Sequence, residues 1–86
     1  MFSIQFTSRA EKELSKLDAV TKERIKEKCE RLSIDPFPPE VERVEGHKKE
    51  KIFRIRVGNY RILYLVRFDQ KKIIVTKVDK RSRVYR

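Results

Sequence analysis

The sequence is poor in residues that could cross-link a small domain. It has one cysteine (Cys29), one histidine (His47), no tryptophan and two glycines. A single cysteine cannot form a disulfide within the chain, and one Cys with one His is too few for a structural zinc site. We therefore expect a fold that depends on its apolar core, with no metal and no small-molecule cofactor.

Long apolar runs are also missing. No run approaches the roughly 20 residues that a helix needs to cross a bilayer. The first ten residues, MFSIQFTSRA, lack the basic and then apolar segments of a signal peptide. We expect a cytoplasmic protein without membrane contact, and the length of 86 residues predicts one domain over residues 1–86.

Carboxylates are scarce in the second part of the chain. Residues 1–50 carry eleven Lys or Arg and eleven Asp or Glu, whereas residues 51–86 carry twelve Lys or Arg and two acids, Asp69 and Asp79, so this part holds the whole net charge of +10. Such an excess favours a nucleic acid or an acidic protein as partner. The alternative, charge that only keeps the protein in solution, predicts mixed signs. A two-metal nuclease needs several convergent carboxylates, so a nuclease here would work without metal.

Apolar periodicity predicts a strand and then two helices in the first half. Residues 2–6 alternate apolar and polar side chains, as a short strand does. A capping-box pattern beginning at Ser8 opens one helix, and Asp18 caps a second helix that runs to about Ile34. A proline-rich stretch ends that helix, and residues 40–50 have the composition of a mobile polar loop.

The second helix is predicted to bury one apolar stripe. Its members are Val20, Ile25, Cys29 and Leu32. Because Cys29 lies on this stripe, we interpret it as a small core residue and not as a reactive thiol. His47 falls in the predicted loop, where a lone histidine is weak support for acid–base chemistry.

The remaining sequence predicts an antiparallel meander of three strands. Gly58-Asn59 has the composition of a two-residue hairpin turn, which fixes the register of the strands on either side. The resulting apolar pairs are Phe53 with Tyr64, Ile55 with Ile62, and Val57 with Tyr60. The predicted fold is therefore α+β in the order β-α-α-β-β-β, with a helical hairpin covering one face of an antiparallel sheet.

The same register places arginines on the opposite face. Arg56 opposes Arg61, and Arg54 lies beside them. Like charges directly opposite each other are unfavourable in a sheet, so the arrangement suggests a bound anion such as phosphate, which guanidinium groups hold with paired hydrogen bonds. A solvated face with scattered charge is the alternative, and a one-residue slip would move these side chains to the other face. A tight second turn would set Lys80 opposite Arg61.

The run FRIRVGNYRILYLV, followed by VDKRSRVYR, resembles the RelE toxins of the RelE/ParE superfamily, particularly the short archaeal members, over nearly the whole chain. The resemblance implies a toxin of a type II toxin–antitoxin system that is silenced by a RelB-like antitoxin. It implies a ribosome-dependent endoribonuclease that enters the A site and cuts mRNA without metal, by attack of a ribose 2′-hydroxyl on the adjacent phosphate. Two alternatives stay open: a ParE-like gyrase inhibitor, and a basic RNA-binding module without chemistry.

The resemblance also implies roles for individual residues. Arg54 and Arg56 match two basic positions of the family, and Arg61 matches the arginine that contacts the scissile phosphate. Arg81 matches an arginine that supports the transition state or the leaving group, and Tyr85 matches a tyrosine that stacks on or orients the nucleotide. The expected RNA-binding residues are Lys51, Lys80 and Arg83.

The general base stays open at this point. Arginine does not lose its proton at neutral pH, so Arg54 and Arg56 are poor general bases. The candidates are Tyr85, a lysine such as Lys51 or Lys80, and groups of the RNA and the ribosome themselves.

Overall fold

Five strands form one mixed sheet in a computed structural model that describes residues 1–44 and 51–80. In chain order the elements are β1 (Ser3–Phe6), α1 (Ser8–Ser15), α2 (Ala19–Ile34), β2 (Glu42–Val44), β3 (Ile52–Val57), β4 (Tyr60–Arg67) and β5 (Lys72–Lys80). The strand order across the sheet is β1-β5-β4-β3-β2. Strand β1 runs parallel to β5, and the other neighbours are antiparallel.

The predicted α+β class, helical hairpin and meander are confirmed, and two features were not predicted. The sheet is mixed because β1 pairs parallel with β5. The prediction of a polar loop over residues 40–50 is wrong for Glu42–Val44, which forms the edge strand β2. Its pairing comes from β3 and not from an apolar pattern of its own. Residues 45–50, with His47, lie outside the described residues.

The helices begin at side-chain caps. The Thr7 hydroxyl accepts a hydrogen bond from the Ala10 backbone N–H at 3.1 Å, so α1 is capped one residue before the predicted Ser8. Asp18 caps α2 as predicted and accepts bonds from the Thr21 backbone N–H and hydroxyl. The hydrogen bond from the Thr21 hydroxyl lowers the pKa of Asp18.

The core lies between the helices and one face of the sheet. From α2 it takes Ile25, Cys29 and Leu32, and burial raises the pKa of the Cys29 thiol to about 11, as suits a packing residue. From the sheet it takes mainly Ile55, Ile62, Tyr64, Ile73 and Val75. The prediction for Val20 is wrong, since it is 63% exposed. Five residues separate Val20 from Ile25, which is roughly 140° of helical rotation.

The register of β3 on β4 matches the prediction, and Gly58 has the positive φ of +60° expected in the tight turn. The register of β4 on β5 does not match. A four-residue loop from Phe68 to Lys71 and a bulge at Thr76 place Asp79, not Lys80, opposite Arg61. Such a bulge adds one residue to one strand and shifts every pair beyond it. The Thr76 hydroxyl donates to the Leu63 carbonyl at 3.4 Å across this bulge.

The end of β5 that carries Asp79 is held from the helix side as well. Strand β1 pairs with β5 only as far as Val75. Beyond that point a carboxylate oxygen of Glu13, on α1, accepts a hydrogen bond from the Val78 backbone N–H at 2.7 Å.

Across residues 1–44 and 51–80, neither helix is long and apolar enough to cross a membrane.

Candidate nucleic-acid interface

The candidate site is an open, cationic surface on the sheet, which we call the arginine face and define by Arg54, Arg56 and Arg61. Strand alternation produces it, because Ile55 and Val57 point into the core, so Arg54 and Arg56, which alternate with them, point away. Arg56 lies directly opposite Arg61, as predicted, and is exposed. Three guanidinium groups thus share one side of β3 and β4.

Arg54 is held by an ion pair that the sequence analysis missed. Glu42, on β2, lies directly opposite it, and Arg54 Nη2 and Nε donate to Glu42 Oε1 at 2.6 and 3.2 Å. The hydrogen bond and charge of Arg54, with a smaller contribution from the charge of Arg56, lower the pKa of Glu42. The carboxylate therefore stays ionised near neutral pH beside both arginines.

Arg61 has a carboxylate neighbour on its other side. Arg61 Nη2 lies 3.6 Å from Asp79 Oδ2, and the same oxygen is 3.6 Å from Lys77 Nζ. The side chain of Arg61 is only 19% exposed, so its guanidinium is held against the sheet. Asp79 thus links a strand β4 cation to a strand β5 cation.

The two carboxylates, Glu42 and Asp79, make the like-charge repulsion on this face weaker than the sequence predicted. They lie on the strands outside β3 and β4 and reduce the repulsion between the facing arginines. Among residues 1–44 and 51–80, this part of the surface carries four cations, counting Lys77, and two carboxylates, so two positive charges remain in excess. An anion is therefore attracted, although it is not required to relieve like-charge repulsion.

The structure brings only some of the predicted site residues together. Lys80 is exposed and lies opposite Tyr60, so the prediction that it opposes Arg61 is wrong. Lys51 lies one residue before β3, roughly 16 Å from Arg56 along the strand and in alternation with Phe53 on the helix side. Arg81, Arg83 and Tyr85 lie outside the described residues, and their roles stay predictions.

Lys51 belongs instead to an aromatic groove of about 720 Å³ at the far end of the sheet. Phe37 contacts Phe53 and Phe68 there, with ring centroids 4.9 and 5.8 Å apart. Nearby, the Tyr64 hydroxyl donates to the Pro36 carbonyl at 2.6 Å, and burial raises the Tyr64 pKa. Tyr64 is therefore a structural residue and not a proton-transfer group.

Comparisons with known proteins agree with this fold. Residues 4–85 match the family described as ParE toxin of type II toxin-antitoxin system, parDE. The chain is 30% identical, over 88 residues, to a Methanocaldococcus jannaschii protein named "Putative toxin RelE1", covering 99% of this chain and 96% of that one. The chain belongs to the RelE/ParE family of type II toxin–antitoxin toxins, as its sequence resemblance implied.

Solved structures are similar over almost the whole chain. A chain of the archaeal RelE–RelB complex from Pyrococcus horikoshii OT3 superposes with a TM-score of 0.84 at 28% identity, covering 96% of this chain and 98% of that one. A chain of the intact E. coli RelBE toxin–antitoxin complex gives a TM-score of 0.78 at 25% identity, covering 96% and 100%.

Proposed function

We propose that this toxin is a ribosome-dependent endoribonuclease that cuts mRNA in the A site without metal and so inhibits translation. One observation carries the proposal: the cross-strand pair Arg56–Arg61, with Arg54 beside it, lies on an open face of the sheet. Guanidinium groups fixed in this way can hold a phosphate and stabilise the charge that develops on it.

The proposed reaction is an internal transesterification. The ribose 2′-oxygen forms a bond to the adjacent phosphorus while the bond from phosphorus to the 5′-oxygen breaks. The 2′-hydroxyl loses a proton and the departing 5′-oxygen gains one. Arg61 is the residue we assign to the phosphate oxygens, since its side chain is held 3.6 Å from Asp79 and lies directly opposite Arg56.

The proton acceptor is not one of the arginines, for the reason given above. Lys51 is also disfavoured, because it lies at the other end of β3 and alternates with the helix-side residues. Lys80, Tyr85 and groups of the RNA and ribosome stay as candidates. Arg81 and Tyr85 are proposed to act on the leaving group and the nucleotide, with Arg83 holding RNA.

We also propose a RelB-like antitoxin as the partner that silences the toxin. The similar chains from P. horikoshii and E. coli were crystallised in complexes with RelB. The basic half of this chain offers an acidic partner an electrostatic target. A protein that acts on ribosomes would work in the cytoplasm as one domain.

A second candidate is a ParE-like gyrase inhibitor, favoured by the family description that matches residues 4–85. Primer extension on mRNA bound to purified ribosomes separates the two functions. The proposal predicts new stops at the A-site codon when the protein is added, and unchanged DNA supercoiling by gyrase. Intact message together with inhibited supercoiling would establish the second candidate, and intact message with RNA binding alone would leave a binding module.

A further inference from the structure

A second basic surface borders the arginine face at the turn between β3 and β4. It is a groove of about 290 Å³ between α2 and the end of β3, which we call the α2 groove. Its cations are Arg24, Lys28 and Arg31 from the helix and Arg56 from the strand. The sequence analysis did not predict the three helix residues as binding residues, because they lie in the half of the chain with no net charge.

Helical spacing aligns the three α2 cations. Positions 24, 28 and 31 fall at i, i+4 and i+7 and so share one side of the helix. The buried stripe of Ile25, Cys29 and Leu32 follows each of them by one residue. The basic row therefore runs beside the line where α2 meets the sheet, with Arg24 and Arg31 exposed.

The β3–β4 turn closes one end of the α2 groove. A Cβ atom at Gly58 would lie 3.8 Å from Arg24 Nη1, so the Arg24 guanidinium lies over this turn. A smaller recess of about 150 Å³ continues past it, lined by Thr21, Asn59 and Tyr60. Hydroxyl and amide groups there add hydrogen-bonding capacity next to the cation.

Arg56 joins the α2 groove to the arginine face. Strand β2 pairs with β3 only at residues 52–54, so within the part of the chain that the structure describes no strand adjoins β3 on that side at Arg56. Arg56 therefore lies opposite Arg61 on the sheet and also lines the groove beside α2. The cations form one track that passes around this open edge of β3.

The charges in the α2 groove do not cancel. Glu27 lines it, and Glu40 accepts a hydrogen bond from Lys28 Nζ at 2.9 Å. That bond, with smaller contributions from the charges of Lys28 and Arg31, lowers the pKa of Glu40. Among the described residues, four cations face two carboxylates in this groove, so two positive charges remain in excess for an anionic ligand. Because five of its seven lining residues are charged, the groove suits a polyanion better than an apolar protein segment.

We propose that the α2 groove binds the sugar-phosphate backbone of RNA, as a second contact surface continuous with the arginine face. The inference extends the proposed function but does not depend on cleavage. The backbone can come from the message strand or from ribosomal RNA, which offer the same phosphodiester chemistry. Such contacts strengthen binding through charge neutralisation and make it sensitive to salt.

The test compares two double variants of the full chain. Arg24→Gln with Arg31→Gln removes two charges from the α2 groove. Lys12→Gln with Lys26→Gln removes two charges from exposed helix positions outside it, since Lys26 lies on the opposite side of α2. Thermal unfolding verifies that both variants fold. The probes are a labelled single-stranded RNA oligonucleotide, followed by fluorescence anisotropy, and purified small ribosomal subunits, followed by co-sedimentation, each over a salt series.

We expect the groove variant to bind at least one probe about tenfold more weakly, with a salt slope lower by about 2, one unit for each lost phosphate contact. A loss confined to the oligonucleotide identifies the message strand, and a loss confined to the subunits identifies ribosomal RNA. Equal changes in the groove variant and the control, or no change in either, would overturn the proposal. Groove-dependent binding without any message cleavage would instead refute the proposed function and leave this inference standing.

Discussion

Strands β3 and β4 have an apolar face that packs against the helices and a charged face that the helices leave uncovered. On the helix side, Ile55, Ile62 and Tyr64 are fully buried or nearly so and pack against α2. On the other side, the arginine face lies between the carboxylates of Glu42 and Asp79, and the helices do not cover it. Burial of apolar area stabilises the first face, whereas partly exposed ion pairs contribute little to stability. The second face can therefore be devoted to binding at small cost to folding.

The largest expected effect breaks the covered face. Ile62→Ala should lower the free energy of unfolding by about 2–5 kcal/mol, because it removes buried methyl and methylene groups and leaves a cavity. Urea denaturation measures this loss. Ile62 is 0% exposed, so a variant as stable as wild type would show that the core is placed wrongly.

The matching substitution on the open face should affect the reaction instead. Arg61→Ala should reduce cleavage of ribosome-bound message by about 2–4 kcal/mol of transition-state stabilisation, the loss expected for one fixed donor to a charged transition state. Its unfolding free energy should change far less than that of Ile62→Ala. Single-turnover kinetics and urea denaturation of the two variants give the comparison, and wild-type cleavage by Arg61→Ala would remove the arginine face from the mechanism.

Tyr85 lies outside the described residues, and we predict that it acts in the reaction and not in the packing of the core. If its ring stacks on a base, Tyr85→Ala should cost about 1–3 kcal/mol in the reaction. Tyr85→Phe should then keep much of the activity, whereas loss in Tyr85→Phe would assign proton transfer to the hydroxyl. A lower melting temperature with normal cleavage in Tyr85→Ala would make the tyrosine structural.

Salt sensitivity gives a further contrast between the two faces. Because the net charge of +10 lies in residues 51–86, the logarithm of RNA affinity should fall with the logarithm of salt concentration with a slope of several units. Ile62→Ala should leave that slope unchanged in its folded fraction. A flat response in wild type would favour a protein target over RNA.

The smallest expected effect concerns the ion pair of Arg54 with Glu42. Glu42→Gln should bind RNA slightly more tightly than Glu23→Gln, a control with the same change in net charge at an exposed position of α2. Equal RNA affinities would show that Glu42 does not affect RNA binding by the arginine face.

The same ion pair gives a pH dependence of stability, because the pKa of Glu42 is lowered in the folded protein. Any stability from the pair is therefore present above the ordinary glutamate pKa and disappears as pH falls through the lowered value.

Strand register could be predicted from the sequence where a short turn determines it. Gly58-Asn59 allows one tight hairpin, and from it the facing pair Arg56–Arg61 follows directly. The sequence was insufficient where pairing depends on the rest of the fold. The loop ending at Lys71, which has a φ of +55°, and the bulge at Thr76 together set the register of β5 on β4. Nothing in the composition of this segment indicates either feature.

The same limit explains why the carboxylates of the site were missed. Strand β2 has no apolar pattern, and only its pairing with β3 brings Glu42 to Arg54. Asp79 was visible as one of two acids in the basic half, but the expected register set Lys80 in its place opposite Arg61. Contacts among three strands therefore had to come from the structure.

The most direct test of the proposed reaction uses a message with a single 2′-deoxy nucleotide at the cut position of the A-site codon. Attack by the 2′-hydroxyl is the central chemical step, so this one oxygen is indispensable. With purified ribosomes and wild-type protein, we expect primer extension to show cutting of the all-ribose message and none of the 2′-deoxy message. Equal cutting of both messages, or cutting of neither, would contradict the account.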